Sequence, residues 1–132
     1  MTDLTASERR KKIFIFDDNL EILELCTEIL KDLGFEVKTS PTTNGIIQQL
    51  THFLPDLIFM DNWLPDMSGV EATRLIKANE ELKNIPVIYF SANSNISELA
   101  AEAQADDYIA KPFDIDSFEE IVNKYLDESL KV

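Results

Sequence analysis

Residues 57–61, LIFMD, form a short run of large apolar residues that stops at a carboxylate. Four other segments have a similar extended character, and segments with helical spacing of apolar residues alternate with them. Strands that are apolar along their whole length are buried on both faces, which is typical of a parallel sheet between two layers of helices. The sequence therefore predicts a doubly wound α/β fold with a five-stranded parallel sheet. The predicted strands are 12–16, 35–39, 57–60, 85–90 and 107–110.

Local signals predict several helix ends. Gly34 has the position of a C-terminal cap, after a first helix whose predicted inner face includes Leu25 and Leu33. Ser68 and the glutamate three residues later have the spacing of a capping box, so we expect a third helix there, with Leu75 on its apolar face. A fourth helix is expected over residues 96–105 and a last one over 114–130.

Length, charge and cysteine content limit the possible functions. A chain of 132 residues forms one domain, predicted over 11–130 with a solvated lead-in over 1–10. The net charge of −13 argues against direct binding to nucleic acid or to anionic membranes. The basic cluster at 9–12 could be a nucleic-acid arm, but we interpret it as part of the lead-in. A single cysteine, Cys26, and the lack of a long apolar run favour the cytoplasm.

Reactive side chains follow four of the five predicted strands. Asp17 and Asp18 come after the first strand, Asp61 after the third, Ser91 after the fourth and Lys111 after the fifth. The carboxyl ends of parallel strands meet at one edge of the sheet, where such folds bind ligands. Clustered carboxylates repel one another, and they are ligands that Mg²⁺ prefers. A carboxylate nucleophile, Mg²⁺, a lysine and a hydroxyl predict phosphoryl chemistry at this edge.

Several residues at or near these strand ends also have a simpler interpretation when they are taken alone. Asp17 and Asp18 could cap the following helix, for which Asn19 is a further candidate. Asp61 could cap a turn, and Tyr108 could be a core residue. The combination at four strand ends favours the phosphoryl site, while the core interpretation of Tyr108 stays open.

Four segments carry a family resemblance in this order: IFIFDDN, LIFMDNWLPDMSGVE, VIYFSA and DDYIAKPF. From Lys11 onward the chain resembles the receiver domains of two-component response regulators, in particular stand-alone, chemotaxis-regulator-like ones. The resemblance implies a flavodoxin-like sheet with strand order 2-1-3-4-5. It also implies a phosphorylation-controlled signalling switch and not an enzyme, because its only chemistry is self-phosphorylation and self-dephosphorylation.

The resemblance implies a role for each acidic residue of the site. Asp61 is then the phosphoacceptor, and Asp18 binds Mg²⁺ directly. Asp17 acts on the metal through water, and the backbone carbonyl of Trp63 completes the protein ligands.

The resemblance also implies how the phosphoryl group is held and sensed. Ser91 and the backbone N–H of Ala92 bind phosphoryl oxygens, and Lys111 pairs with another. The Lys111–Pro112 peptide is expected to be cis, which is plausible only before proline. Tyr108 is the expected aromatic switch, turning inward as Ser91 moves toward the phosphoryl group. Output is expected from the face made by the fourth helix, fifth strand and fifth helix.

Three positions depart from the usual receiver pattern. Asn62 is polar where an apolar residue is common, Trp63 is unusually large, and Gln104 replaces a glycine at the end of the fourth helix. We expect Asn62, Trp63 and Asn93 to flank the pocket, with the indole hindering the water that hydrolyses the phosphoryl group.

The expected partners are a sensor histidine kinase or a histidine phosphotransfer protein as donor, and a downstream protein target. A phosphatase-like enzyme is an alternative, but it normally needs a second acid two residues after the nucleophile, where this chain has Trp63. A pseudo-receiver scaffold is another, but it does not need an intact set of site residues. No output domain follows the last predicted helix, so we expect docking or a relay role.

Overall fold

The computed structural model describes residues 10–126, and in this range five strands alternate with five helices. The strands are β1 (Lys12–Phe16), β2 (Glu36–Ser40), β3 (Leu57–Asp61), β4 (Val87–Ser91) and β5 (Asp107–Ala110). The helices are α1 (Leu20–Asp32), α2 (Ile46–Phe53), α3 (Gly69–Ala78), α4 (Ile96–Ala103) and α5 (Ile115–Leu126). Residues 1–9 of the predicted lead-in and 127–130 of the predicted last helix lie outside the described residues. Within the described range, no helix has the length and apolar character to cross a membrane.

The strands are all parallel and follow the order β2-β1-β3-β4-β5. This confirms the predicted doubly wound α/β fold with flavodoxin-like strand order. The register keeps the strand ends level, because Asp61 pairs with Phe90 and Ser91 pairs with Ala110. Residues that end or directly follow these strands therefore meet at one edge of the sheet.

Each face of the sheet is covered by its own layer of helices. On one face α2, α3 and α4 pack over a core that includes Met60 and Tyr89. On the other face α1 and α5 pack over Phe59, Phe90 and Phe118. β3 is buried on both faces, because its side chains alternate between these two cores. This burial on both faces explains why the apolar run of β3 is unbroken.

The predicted helix caps are confirmed. The Asn19 side chain caps α1 by accepting hydrogen bonds from two backbone N–H groups of the first turn. Ser68 caps α3, and its Oγ accepts a hydrogen bond from the N–H of Glu71. Gly34 follows α1 with a φ of 94°, which a residue with a side chain rarely adopts.

Some predicted boundaries shift for local reasons. β2 begins one residue late because the Phe35 N–H is bonded to the end of α1, at the carbonyl of Leu30. β4 begins at Val87 because Pro86 has no N–H to give to the sheet. α4 ends two residues early because Gln104 takes a left-handed φ of 66°.

Three leucines predicted on inner helix faces are exposed, so this part of the prediction is wrong. Leu25 is two residues from the buried Leu23, which places it roughly 200° around α1. Leu33 lies beyond the last turn of α1, and Leu75 lies one residue from the buried Ile76 of α3. The sheet covers only a narrow stripe of each helix.

Candidate functional site

Three carboxylates converge where β1 and β3 end. Asp17 and Asp18 directly follow β1, and Asp61 is the last residue of β3. Each offers one oxygen, and these oxygens lie within 4.8 Å of one another. Asp17 and Asp61 are buried, whereas Asp18 is exposed. The predicted acids therefore form one cluster that is open to solvent at Asp18.

Lys111, directly after β5, contacts two of these carboxylates. Its Nζ lies 2.6 Å from Asp17 Oδ2 and 3.1 Å from Asp61 Oδ1. The ammonium also lies 4.5 Å from the centre of the Phe90 ring, within range of a cation–π contact. Burial alone lowers the pKa of Lys111, but the hydrogen bond to Asp17 and the two carboxylate charges outweigh burial and raise this pKa. The lysine is therefore a fixed positive charge at neutral pH.

The electrostatics of Asp61 indicate that one lysine does not balance the cluster. Burial raises the pKa of Asp61 and the charge of Asp17 raises it further, while Lys111 and the backbone N–H of Asn62 only partly oppose this. With all groups ionised, one ammonium faces three carboxylates. Mg²⁺ takes carboxylate oxygens and water as ligands, so the donor set of Asp17, Asp18 and Asp61 fits this ion.

The cluster lies in an open cleft of about 280 Å³. Trp63 is at its mouth, with 69% of the residue exposed, and Ala92 and Asn93 are also exposed there. Ser91 is buried, and its Oγ accepts a hydrogen bond from the Asn93 N–H at 3.1 Å. The cleft is lined by Asp17, Asp18, Asn19, Asp61, Trp63, Ser91, Ala92, Asn93 and Lys111.

Asp17 and Asp18 are not the helix-capping pair of the simpler interpretation, because Asn19 is the N-cap of α1. Asp17 Oδ1 accepts the Asn19 N–H at 2.9 Å, while its Oδ2 binds Lys111. Asp17 thus fixes the entry to α1 and the position of the lysine together.

Asn62 does not line this cleft. Its Oδ1 accepts a hydrogen bond from the Tyr89 hydroxyl, and the residue is only 5% exposed. Successive side chains of a strand point to opposite faces, so the residue after Asp61 is directed toward the α3 and α4 layer. There it borders a separate groove between these two helices. Although Asn62 is next to Asp61 in the sequence, its side chain does not lie in the cleft.

Gly69, the first residue of α3, is a site requirement that the sequence analysis missed. A Cβ on Gly69 would collide with the backbone oxygen of Asp61 and would lie 3.0 Å from the Asn62 Cα, so no side chain fits there. The Gly69 N–H donates to the Asn62 carbonyl at 2.9 Å. The only signal in the sequence is a glycine inside the capping box, directly after Ser68.

Two further predicted features lie in β5 and directly after it. Tyr108 is 44% exposed on β5, so the core interpretation of this residue is wrong. The Lys111–Pro112 peptide is cis.

Comparison with known proteins identifies the family. A family model described as the response regulator receiver domain matches residues 13–123. This chain belongs to that family. It is 32% identical over 123 residues to the polar-differentiation response regulator DivK of Brucella anthropi, covering 90% of this chain and 98% of DivK. It is 33% identical over 116 residues to the CAI-1 autoinducer sensor kinase/phosphatase CqsS of Vibrio cholerae, covering 86% of this chain and 17% of CqsS.

A solved structure shares the receiver fold closely. The receiver domain of sensor histidine kinase PA1611 from Pseudomonas aeruginosa has a TM-score of 0.82 and 27% identity, covering 90% of this chain and 99% of that one. That structure has a magnesium ion coordinated in its active-site cleft. As a receiver domain, this chain is a phosphorylation-controlled switch of two-component signalling and not a classical enzyme. Receiver domains work with histidine kinases and phosphotransfer proteins.

Proposed function

We propose that this receiver domain takes a phosphoryl group onto Asp61 from a sensor histidine kinase or a histidine phosphotransfer protein in the cytoplasm. The observation that carries the proposal is the 3.1 Å contact between Lys111 Nζ and Asp61 Oδ1, in a cleft that opens beside Asp18. A carboxylate oxygen of Asp61 forms a bond to phosphorus as the bond from phosphorus to the donor nitrogen breaks, and that nitrogen takes up a proton. In hydrolysis, water attacks phosphorus and the carboxylate leaves.

The residues proposed to hold Mg²⁺ are Asp18 and Asp61, with the Trp63 carbonyl, while Asp17 acts through water. The clustered oxygens and the excess of negative charge support this set. Bound Mg²⁺ supplies positive charge against the phosphoryl oxygens. Without it, the incoming phosphoryl group meets a cleft that already repels anions.

The phosphoryl group is proposed to be held by the Ser91 hydroxyl, the Ala92 N–H and the Lys111 ammonium. Ser91 Oγ already accepts from the Asn93 N–H, which leaves its hydroxyl hydrogen able to donate. Lys111 is restrained by Asp17 and by the Phe90 ring, so it is held beside Asp61 before the reaction. Such preorganised charge is an efficient way to stabilise a transferring phosphoryl group.

The signal is proposed to leave through the α4, β5 and α5 face to a downstream protein target. Ser91 lies opposite Ala110 in the β4–β5 register, two residues from the exposed Tyr108. Movement of Ser91 toward the phosphoryl group therefore acts on the strand that carries Tyr108, the proposed switch. The net charge of −13 favours a protein target over nucleic acid or an anionic membrane. The domain is proposed to span 11–130, with 1–10 as a lead-in.

Phosphoryl uptake by two variants of equal charge tests this function. With Mg²⁺ and a small acyl-phosphate donor, the intact mass should rise by one phosphoryl group in wild type and in Asp32→Asn, which changes an exposed acid at the end of α1. Asp61→Asn should lose the adduct that hydroxylamine removes. Unchanged hydroxylamine-labile labelling of Asp61→Asn would rule out the proposed phosphoacceptor.

A further inference from the structure

A buried polar pair lies one residue beyond Asp61. The hydroxyl of Tyr89 donates a hydrogen bond to Asn62 Oδ1, and Tyr89 is completely buried in the apolar core under α3 and α4. A buried polar atom that loses its hydrogen-bond partner destabilises the fold, because no water replaces that partner. The Tyr89 hydroxyl and the Asn62 amide oxygen therefore each need the other as a hydrogen-bond partner, because the core around them is otherwise apolar.

The backbone of Asn62 belongs to the phosphoryl site on both sides. Its N–H is close enough to the carboxylate of Asp61 to oppose the rise in the pKa of that carboxyl. Its carbonyl accepts the Gly69 N–H at 2.9 Å, which ties it to the start of α3. The next carbonyl along the chain is that of Trp63, the proposed main-chain metal ligand. Any rotation of the Asn62 backbone therefore moves two groups of the site. One is the N–H beside the Asp61 carboxylate, and the other is the Trp63 carbonyl, the proposed metal ligand.

Tyr89 gives the pair a rigid base. It lies inside β4, opposite Met60 of β3 and two residues before Ser91. Burial, the charge of Asp61 and the charge of Glu102 all raise the pKa of Tyr89, so the phenol keeps its proton and remains a donor at neutral pH. The hydrogen bond thus connects the turn after β3 to the strand that ends at Ser91.

We propose that the Tyr89–Asn62 hydrogen bond positions the turn after β3, so that the Trp63 carbonyl is held where Mg²⁺ binds. Asn62 and Tyr89 are then positioning residues that touch neither the metal nor the phosphoryl group. This inference rests on the proposed function, because it takes the Trp63 carbonyl as a ligand. The ion pairs of Lys111 with Asp17 and Asp61 involve neither member of the pair, so they remain when it is broken.

The direct test is a Mg²⁺ titration followed by the fluorescence of Trp63, the only tryptophan. Tyr89→Phe removes one donor and almost no volume, and it should weaken Mg²⁺ binding about tenfold, as loss of a group that orients a metal ligand does. Tyr125→Phe is the matched control. Its hydroxyl hydrogen-bonds Asp107 Oδ2 at 3.0 Å, away from the cleft, so this variant should bind Mg²⁺ like wild type.

Two further measurements separate positioning from general destabilisation. In metal-free protein, amide exchange over residues 62–68 should be faster in Tyr89→Phe than in Tyr125→Phe. At saturating Mg²⁺, the rate of phosphoryl uptake by Tyr89→Phe should return to within about twofold of wild type, because the groups at Asp61 are intact. If Tyr89→Phe does not fold, Asn62→Ala/Tyr89→Phe leaves no buried polar atom unpaired and should show the same weaker Mg²⁺ binding.

The outcomes distinguish this inference from the proposed function. Wild type that binds Mg²⁺ and takes up phosphoryl groups, beside a folded Tyr89→Phe or double variant with wild-type Mg²⁺ affinity, overturns the positioning role alone. Wild type that neither binds Mg²⁺ nor takes up phosphoryl groups overturns the proposed function and this inference together.

Discussion

Two lysine–carboxylate pairs in this domain have the same separation but different surroundings. Lys77 Nζ and Lys111 Nζ each lie 2.6 Å from a carboxylate oxygen, of Asp106 and Asp17 respectively. Around Lys77 the charges match one to one, and backbone groups complete the contacts. The lysine also donates to the Ile85 carbonyl at 3.0 Å, and the same oxygen of Asp106 accepts the N–H at the start of β4 at 2.7 Å.

Around Lys111, in contrast, negative charges outnumber positive ones. The lysine contacts a second carboxylate, Asp61, and a third, Asp18, is close by at an opening to solvent. The Lys77 pair therefore ties α3 to the β4–β5 edge, whereas the Lys111 cluster retains negative charge that a cation and a phosphoryl group can use. The distance between two charges does not separate a structural pair from a reactive one; the balance of charge and the access from solvent do.

The largest difference between the two lysines should appear in phosphoryl uptake. Lys111→Met should slow uptake from a small acyl-phosphate on the order of 100-fold, because a preorganised charge beside the transferring group is lost. Lys77→Met should leave the rate within about twofold, while it lowers the free energy of unfolding by about 0.5–1.5 kcal/mol through the lost hydrogen bonds of Lys77 to Asp106 and to the Ile85 carbonyl. Mass spectrometry gives the rates, and urea unfolding gives the stabilities. Similar rates for the two variants would remove the distinction between the pairs.

Two acids of the domain, Asp61 beside Lys111 and Asp107 beside Lys124, should differ next, in how each makes the free energy of unfolding depend on pH. Burial, and then the charge of Asp17, raises the pKa of Asp61 above its ordinary 3.8 in the folded protein. Above pH 3.8 the folded state therefore binds more protons here than the unfolded state, and the metal-free protein loses stability as the pH rises through the raised pKa. Asp61→Asn should be more stable than wild type at pH 7 without metal, and this gain should vanish below about pH 4.

Asp107, at the start of β5, is the control with the opposite sign. Burial alone raises its pKa, but hydrogen bonds from Lys124, the Tyr108 N–H and Tyr125 outweigh burial and lower it. A lowered pKa stabilises the fold above the ordinary value, and this stabilisation is lost as the pH falls through the folded value. Asp107→Asn should thus be less stable than wild type at pH 7 and equal to it in acid. Urea unfolding in a chelator measures both variants, and equal signs for the two would contradict the account.

The smallest effect is expected at the mouth of the cleft. The Trp63 indole borders the site, but the residue is 69% exposed, so the ring shields phosphorus only in part. Trp63→Ala should lose its phosphoryl group faster, by less than the tenfold that about 1.4 kcal/mol of barrier represents. The decay of the labelled protein after donor removal measures this. Equal or slower loss would show that the ring does not hinder water.

The sequence was sufficient to predict the fold and the convergence of the reactive groups. Parallel strands that end at or directly before Asp17, Asp61 and Ser91 bring these residues to one edge of the sheet, so position in the sequence predicts position in space. Lys111 follows the same rule, although it is 50 residues from Asp61.

What the sequence did not predict depends on side-chain direction and close approach. Asn62 was expected at the pocket, yet the alternation of the strand directs it to the opposite core, where it meets Tyr89. Gly69 has no charge or polar group to mark it, and only the close approach of its Cα to the Asp61 backbone, which leaves no room for a Cβ, explains why it is glycine. The Gly69 contact depends on how the chain folds back on itself in space, so no local pattern indicates it, whereas the alternation of side chains along β3 is a local signal for the direction of Asn62.

The most direct test of the central claim is to locate the phosphoryl group chemically. Borohydride reduces an aspartyl phosphate to homoserine, with release of inorganic phosphate, and peptide mapping then shows which residue has changed. After treatment with Mg²⁺ and a small acyl-phosphate donor, homoserine should be found at position 61, and its yield should fall sharply when the metal is chelated. Homoserine at Asp17 or Asp18 instead, or a yield at position 61 that does not depend on metal, would contradict the account of this cleft.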